Sequence, residues 1–158
     1  MCFNYKIEQL QDESAISDAL ELVWQVFIEF EAPDYSDEGV AEFKKFIEPR
    51  SIIEMILDDK LFMWGCFDRN RIVGVIATRP PCHISLLFVN KRYHRQGIAR
   101  SMYNTILDFY KTNSVYTEMT VNSSPYAIGA YHSLGFEDTN TEQTLNGIRF
   151  TPMKNRFR

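Results

Sequence analysis

The segment LLFVNKRYHRQGIARSMY, residues 86–103, carries the densest chemistry in the chain. A buried-type strand runs into a basic loop, and Gly97 then opens a helix. A glycine there lets the backbone approach a ligand closely, and the first N–H groups of a helix have no intrahelical partners. With the helix dipole, those donors form a site for a phosphate or pyrophosphate. Lys91, Arg92, Arg95 and Arg100 place four cations around this turn in a chain that is otherwise acidic. A tight turn with an ordinary solvated surface has the same residue pattern, so the segment alone leaves both readings open. Two common phosphate loops are excluded. No GKS or GKT follows to make a Walker loop, and only one of the three glycines of a dinucleotide fingerprint is present.

The elements that must position this turn follow from apolar spacing. Residues 5–9 read as a short strand. Ile16, Leu20, Val23, Phe27 and Phe30 recur at helical spacing and predict an amphipathic helix over residues 12–30. The acidic segment EAPDYSDEG reads as a loop. Ser36 caps a second helix there, with Asp37 and Glu38 at its positive end. Val40, Phe43 and Ile47 form that helix's stripe, and Pro49 stops it. LFMWGCF and IVGVIAT, separated by DRNR, predict a hairpin, with Asp68 and Asn70 supplying turn chemistry. HISLLFV is a further strand after Pro80-Pro81. Ile98, Met102, Ile106 and Tyr110 then line one face of a helix. Residues 115–121 predict a strand and residues 124–134 a shorter helix, which Gly135 ends. Two last strands flank the hairpin dipeptide Asn146-Gly147. The order β-α-α-β-β-β-α-β-α-β-β is that of a mixed α/β domain built on one sheet. No repeat or linker divides residues 1–158, so one domain is expected.

At this turn the chain resembles the GNAT superfamily of acyl-CoA-dependent N-acyltransferases. The family's strand followed by Arg/Gln-x-x-Gly-x-Gly/Ala is met by His94-Arg95-Gln96-Gly97-Ile98-Ala99, departing only in His94. Asn122 and the run YAIGAYHSLGF resemble the family's Asn…Ala…Tyr-x-x-x-Gly-Phe segment, and the element order fits over nearly the whole chain. The resemblance implies a mostly antiparallel sheet, flanked by helices and splayed by a β-bulge at the strand HISLLFV. It implies acetyl-CoA as co-substrate. Leu87, Phe88 and Val89 would meet the pantetheine arm, backbone amides from Arg95 to Arg100 the pyrophosphate, and Asn122 the arm again. The implied product is an N-acetylated primary amine, formed by direct attack in a ternary complex with no metal.

The same resemblance assigns catalytic roles. Tyr131 matches the family's general acid near the thiol, although its helix spacing would also suit a packing residue. His83 stands where many members carry a Glu base, and the competing reading is a strand-edge histidine without a role. Glu31 and Asp34, in the acidic loop with Asp37 and Glu38, fall where the family forms its acceptor pocket. There they would favour a cationic amine, or else they are simply solvated. A small-molecule amine is the expected acceptor. Transfer to a protein or peptide amine, and a CoA-binding module without turnover, are the alternatives. A homodimer is the family-level expectation.

Composition sets the outer limits. The chain has 158 residues and 18.5 kDa, with 17 Lys plus Arg against 21 Asp plus Glu, a net charge of −4. That balance argues against a nucleic-acid binder, which carries a basic excess. A hydrophobic content of 45% supplies a core without disulfides. No apolar run approaches the ~20 residues of a membrane span, and no secretory signal is visible at the amino terminus. Cys2, Cys66 and Cys82 have no metal-binding spacing and read as small hydrophobes in a reducing cytoplasm.

Overall fold

In a computed structural model, which describes residues 4–158, the apolar patterns become one sheet with helices on both faces. Its strands are β1 (Lys6–Gln9), β2 (Phe62–Asp68), β3 (Arg71–Arg79), β4 (His83–Val89), β5 (Glu118–Ser123), β6 (Glu137–Asp138), β7 (Gln143–Leu145) and β8 (Ile148–Arg156). The helices are α1 (Glu13–Phe30), α2 (Asp37–Phe46), α3 (Pro49–Leu57), α4 (Ile98–Asn113) and α5 (Ile128–Ser133). The strand order is β1-β2-β3-β4-β5-β8-β6, and β7 pairs with β8. All pairings are antiparallel except that of β4 with β5. The expected mixed, mostly antiparallel α/β sheet is therefore present.

Local chemistry explains most element ends. Asp12 caps α1 by accepting from the Ala15 N–H at 3.0 Å, and Ser36 caps α2 by accepting from Gly39 at 3.3 Å. Pro49 does stop α2, but it also opens α3, which the sequence reading missed. Proline at a first helical position gives up only an N–H that has no partner there, and the Glu48 carboxylate accepts from Arg50 and Ser51 at 3.1 and 2.9 Å. The predicted helix over residues 124–134 is shorter than expected. Ser124 holds a preceding turn by accepting from the Ala127 N–H at 3.3 Å, and Gly135, at φ 103°, ends α5. Asn146 and Gly147, at φ 53° and 80°, form the expected hairpin turn between β7 and β8. The two-residue β6 is an addition that no pattern announced.

Two apolar layers sandwich the sheet. On one face Ile16, Ala19, Leu20, Val23 and Phe27 of α1 pack with residues of α2 and α3 against Leu86 and Phe88. On the other, Ile98, Met102, Ile106 and Tyr110 of α4 pack with Tyr131 and Leu134. Each fully buried large side chain contributes about 1.5–3 kcal/mol. Most buried polar side chains find partners, the exception among the described residues being Ser85 Oγ. The Tyr110 hydroxyl donates to Thr78 Oγ1 at 2.7 Å, and Asn155 Nδ2 donates to the Tyr103 hydroxyl at 2.8 Å. Cys66 and Cys82 are buried and free, their thiols pushed up to about 11 by burial, so they behave as small hydrophobes. Cys2 lies outside the described residues. Among those residues, no helix is long and apolar enough to cross a membrane.

The site depends on one irregularity. Opposite β4, the register steps from Ala77↔Leu86 to Thr78↔Ile84, leaving Ser85 as an extra residue. A regular strand would put Ile84, Leu86 and Phe88 on one face. The bulge at Ser85 instead turns Ile84 toward α4 and α5, while Leu86 and Phe88 face α1. Parallel pairing of β4 with β5 is confined to His83↔Thr120 and Ile84↔Val121, and it ends at this bulge. Beyond it the two strands part, and the wedge between them holds the site.

Candidate active site

A cleft of about 290 Å³ fills the wedge. His83, Ile84, Ser85, Leu87 and Phe88 of β4 form one wall, and Val121, Asn122 and Ser124 with Tyr131 of α5 form the other. Glu31, which ends α1, closes the inner side with Tyr35, Phe43, Phe46 and Ile148. Arg79 and Glu42 also border the cleft, and both are exposed.

Four cleft groups are strongly perturbed, Glu31, Tyr35, His83 and Tyr131, and burial with the nearby Glu31 and Asp34 carboxylates holds the Tyr35 phenol well above its ordinary range. Burial pushes the Glu31 carboxyl up to about 7; Asp34 adds to the rise, and a hydrogen bond with the Ser124 side chain opposes it. Burial also holds the Tyr131 phenol well above its ordinary range, and the Glu31 and Tyr35 charges reinforce that. Tyr131 is thus a neutral donor at every pH near 7. His83 moves the other way. Burial and the neighbouring Arg79 guanidinium lower it to about 4, so its imidazole is neutral at pH 7. Its Nδ1 lies 2.8 Å from Thr120 Oγ1, the residue paired with it across the strands.

The sequence-predicted residues are only partly gathered here. Glu31, His83, Leu87, Phe88, Asn122 and Tyr131 all line the cleft. Asp34 does not. It lies on a 3-10 turn at Ala32–Asp34, and its carboxylate sits 3.8 Å from Arg149. The same guanidinium makes a two-pronged bond to Glu142, at 3.1 Å on each prong. Ser124 was missed by the sequence reading. The sequence makes it only the first residue of the helix predicted over 124–134, and only the fold brings it against Glu31.

The basic turn lies at the outer end of the wedge. Val89 ends β4, and its carbonyl accepts from His94 Nε2 at 2.7 Å, which anchors the loop to the strand. The Gln96 side-chain oxygen accepts from the Tyr5 hydroxyl at 2.6 Å. Arg95 takes φ 61° and Gly97 φ 80°, turning the chain so that the amino end of α4, Ile98 and Ala99 first, opens outward. No side chain caps that helix end, and a Cβ built on Gly97 would meet nothing within 4 Å. Uncapped donors beside open space fit a pyrophosphate. The four cations are not equivalent. Lys91 pairs with Glu29 at 3.3 Å, and Arg100 donates to the Ser133 carbonyl at 2.6 Å. The side chains of Arg92 and Arg95 are unpaired among the described residues. There is no group of three or more His, Cys, Asp or Glu among those residues that could hold a metal ion.

Comparison with known proteins agrees with this geometry. A family model described as an acetyltransferase (GNAT) domain matches residues 31–157. No curated protein sequence matches the chain. Among solved structures, the PaiA N-acetyltransferase from Thermoplasma acidophilum, in complex with coenzyme A, superposes with a TM-score of 0.80 at 13% identity, covering 96% of this chain and 99% of its own. The GCN5-related N-acetyltransferase from Rhodopseudomonas palustris also reaches 0.80, at 15% identity, over 96% and 95%. An aminoglycoside 6'-N-acetyltransferase complexed with coenzyme A reaches 0.70 at 10% identity, over 96% of each chain.

Proposed function

Because the chain belongs to the GNAT acetyltransferase family, we propose that it moves an acetyl group from acetyl-CoA to a primary amine of a small molecule, by direct attack in a ternary complex. One observation carries this reading. The wedge between β4 and β5 joins the uncapped amino end of α4 to a pair of proton-handling groups, the half-buried Glu31 and the buried Tyr131. Acetyl-CoA supplies the acetyl group as a thioester. The open edge of β4 at Leu87, Phe88 and Val89 binds the pantetheine arm with Asn122 opposite. The amides of Gln96, Gly97, Ile98 and Ala99, with Arg95 and Arg100 beside them, bind the pyrophosphate, and His94 keeps the loop in register through Val89. Residues 6–30, which precede the matched segment, belong to the same catalytic unit. β1 pairs with β2, and α1 packs on β3 and β4.

Tyr131 acts as the acid, giving its proton to the departing sulfur. Its burial keeps the phenol protonated and keeps water from competing for that proton. Two cleft groups can take the acceptor's proton, His83 and Glu31, and they differ greatly in basicity. The size of the cleft favours a small acceptor, since 290 Å³ is at the low end for ligand pockets. Its inner side is closed by the β7–β8 hairpin, where the Ser36 N–H donates to the Gly147 carbonyl at 3.4 Å. The test is thiol release from acetyl-CoA with n-butylamine, amino acids, aminoglycosides and short peptides. Release driven by small amines supports the proposal. Release driven only by peptides transfers the activity to protein acceptors, and binding of CoA without release leaves a non-catalytic module.

A further inference from the structure

We propose that Glu31 is the catalytic base: its carboxylate binds the acceptor as an ammonium in the cleft and takes its proton, generating the attacking amine in place. This rests on the acyl transfer proposed above. Glu31 comes to the wedge from the α1 side and is held at the helix end by its own N–H, which donates to the Phe27 carbonyl at 2.9 Å. Its side chain crosses to Ser124, a buried residue that also holds the turn before α5. Tyr131 faces the same cleft from α5. Acid and base thus reach the reacting centre from opposite layers of the fold.

The charges around Glu31 leave room for a cation. Asp34 and Tyr35 face it from the turn that follows, and Tyr126 and Tyr131 from the α5 side. His83 and Arg79 stand on the β4 side of the cleft and Glu42 on the α2 side. The nearby cation on β8, Arg149, is taken by Glu142 and Asp34. No ion pair to Glu31 exists among the described residues, so an incoming ammonium supplies its counter-charge. A carboxyl raised to about 7 is matched to proton abstraction near neutral pH, whereas an imidazole lowered to about 4 is about a thousandfold weaker as a proton acceptor.

The step balances as follows. Glu31 carboxylate takes one proton from R–NH3⁺, giving R–NH2 and a neutral Glu31. The nitrogen lone pair forms the C–N bond to the acetyl carbonyl carbon, and the C–S bond breaks with its electron pair going to sulfur. The Tyr131 phenol protonates sulfur, and the second N–H proton of the acetylated nitrogen restores the phenol. The Glu31 proton leaves to water, so one proton is released per turnover.

Two measurements with acetyl-CoA and n-butylamine decide the matter. The first is the pH profile of kcat/KM. In the wild type it should rise tenfold per unit below about 7, then stay flat to the pKa of the free amine, about 10. Glu31→Gln should lie ~10²- to 10³-fold lower at pH 7 and climb tenfold per unit toward the wild type near pH 10, because only free amine then reacts. Glu31→Asp should restore the flat region at a reduced rate. The second is the ¹³C resonance of the labelled Glu31 carboxyl, identified by its loss in Glu31→Gln. It should titrate near 7 and move when n-butylammonium is added, with the CoA Kd of both proteins within twofold. A flat region that survives in Glu31→Gln overturns the proposal, as does a carboxyl that titrates near 4 or ignores n-butylammonium. If wild-type protein releases no thiol with any amine, the transfer reading fails by itself. The carboxyl titration still decides whether Glu31 takes up an ammonium.

Discussion

Replacing Gly97 by alanine separates the cofactor turn from the stability of the fold. Gly97 sits at φ 80° and ψ 11°, where an L side chain costs about 1–2 kcal/mol. In a chain of this length each 1 kcal/mol lowers Tm by about 2–4 °C, so Gly97→Ala should melt ~2–8 °C below the wild type. The new methyl meets no protein atom within 4 Å, and the folded state accommodates it. It does project into the space assigned to the pyrophosphate. Losing one charge-assisted hydrogen bond there costs about 2 kcal/mol, or roughly thirtyfold in Kd. At a CoA concentration of 100 times the wild-type Kd, binding stabilises the wild type by about 2.7 kcal/mol, a rise of ~5–11 °C. The variant keeps only about 0.9 kcal/mol of that, ~2–4 °C. Differential scanning fluorimetry with and without CoA reads both effects. Gly135→Ala is the control, because its φ of 103° imposes similar strain while its Cβ would meet the Asn155 side chain at 3.2 Å, away from the turn. A full CoA shift in Gly97→Ala refutes the cradle, and an equal loss in Gly135→Ala refutes its localisation.

Other outcomes follow from the same geometry. Tyr131→Phe keeps the ring that packs edge-on against Phe136 at 5.4 Å, yet it should lower kcat by ~10²-fold at unchanged CoA Kd; an unchanged kcat in thiol release excludes the acid role. His83 has a folded pKa of about 4, below its unfolded value of 6.5, so the unfolded chain binds the extra proton between those values. Its contribution to stability is fully present above pH 6.5 and is lost as pH falls toward 4, and His83→Gln should flatten Tm over that window. Glu31 has the opposite sign. Its folded pKa of about 7 exceeds the unfolded 4.5, so its contribution is present below pH 4.5 and lost as pH rises through 7. Glu31→Gln should therefore gain Tm against the wild type at pH 8 while losing activity, and no gain at pH 8 would count against a buried carboxyl. Gly39→Ala adds about 1 kcal/mol of helix propensity but drives a Cβ into the Gly147 carbonyl. Displacing that hairpin should raise the acceptor KM without changing the CoA Kd; a higher Tm with unchanged KM would show that the hairpin does not shape the cleft.

What the sequence determined by itself is what depends on near neighbours in the chain. The apolar stripe of α1, the Ser36 cap, the Asn146-Gly147 turn and the glycine that opens α4 all follow from spacings of a few residues, and all are present. Pro49 shows the limit of such reading, since the same residue ends one helix and begins another, and only the Glu48 cap selects the second role. The active site lies past that limit. Glu31 and Asp34 are three residues apart and carry the same chemistry, so no local rule separates them. Tertiary structure does, because the end of α1 meets Ser124 across the wedge while the next turn meets Arg149. The wedge itself comes from one extra residue, Ser85, whose effect appears only once β4 has partners on both sides. The surroundings of a charge are a property of everything packed around it, and they raise the carboxyl of Glu31 while they hold that of Asp34 against Arg149.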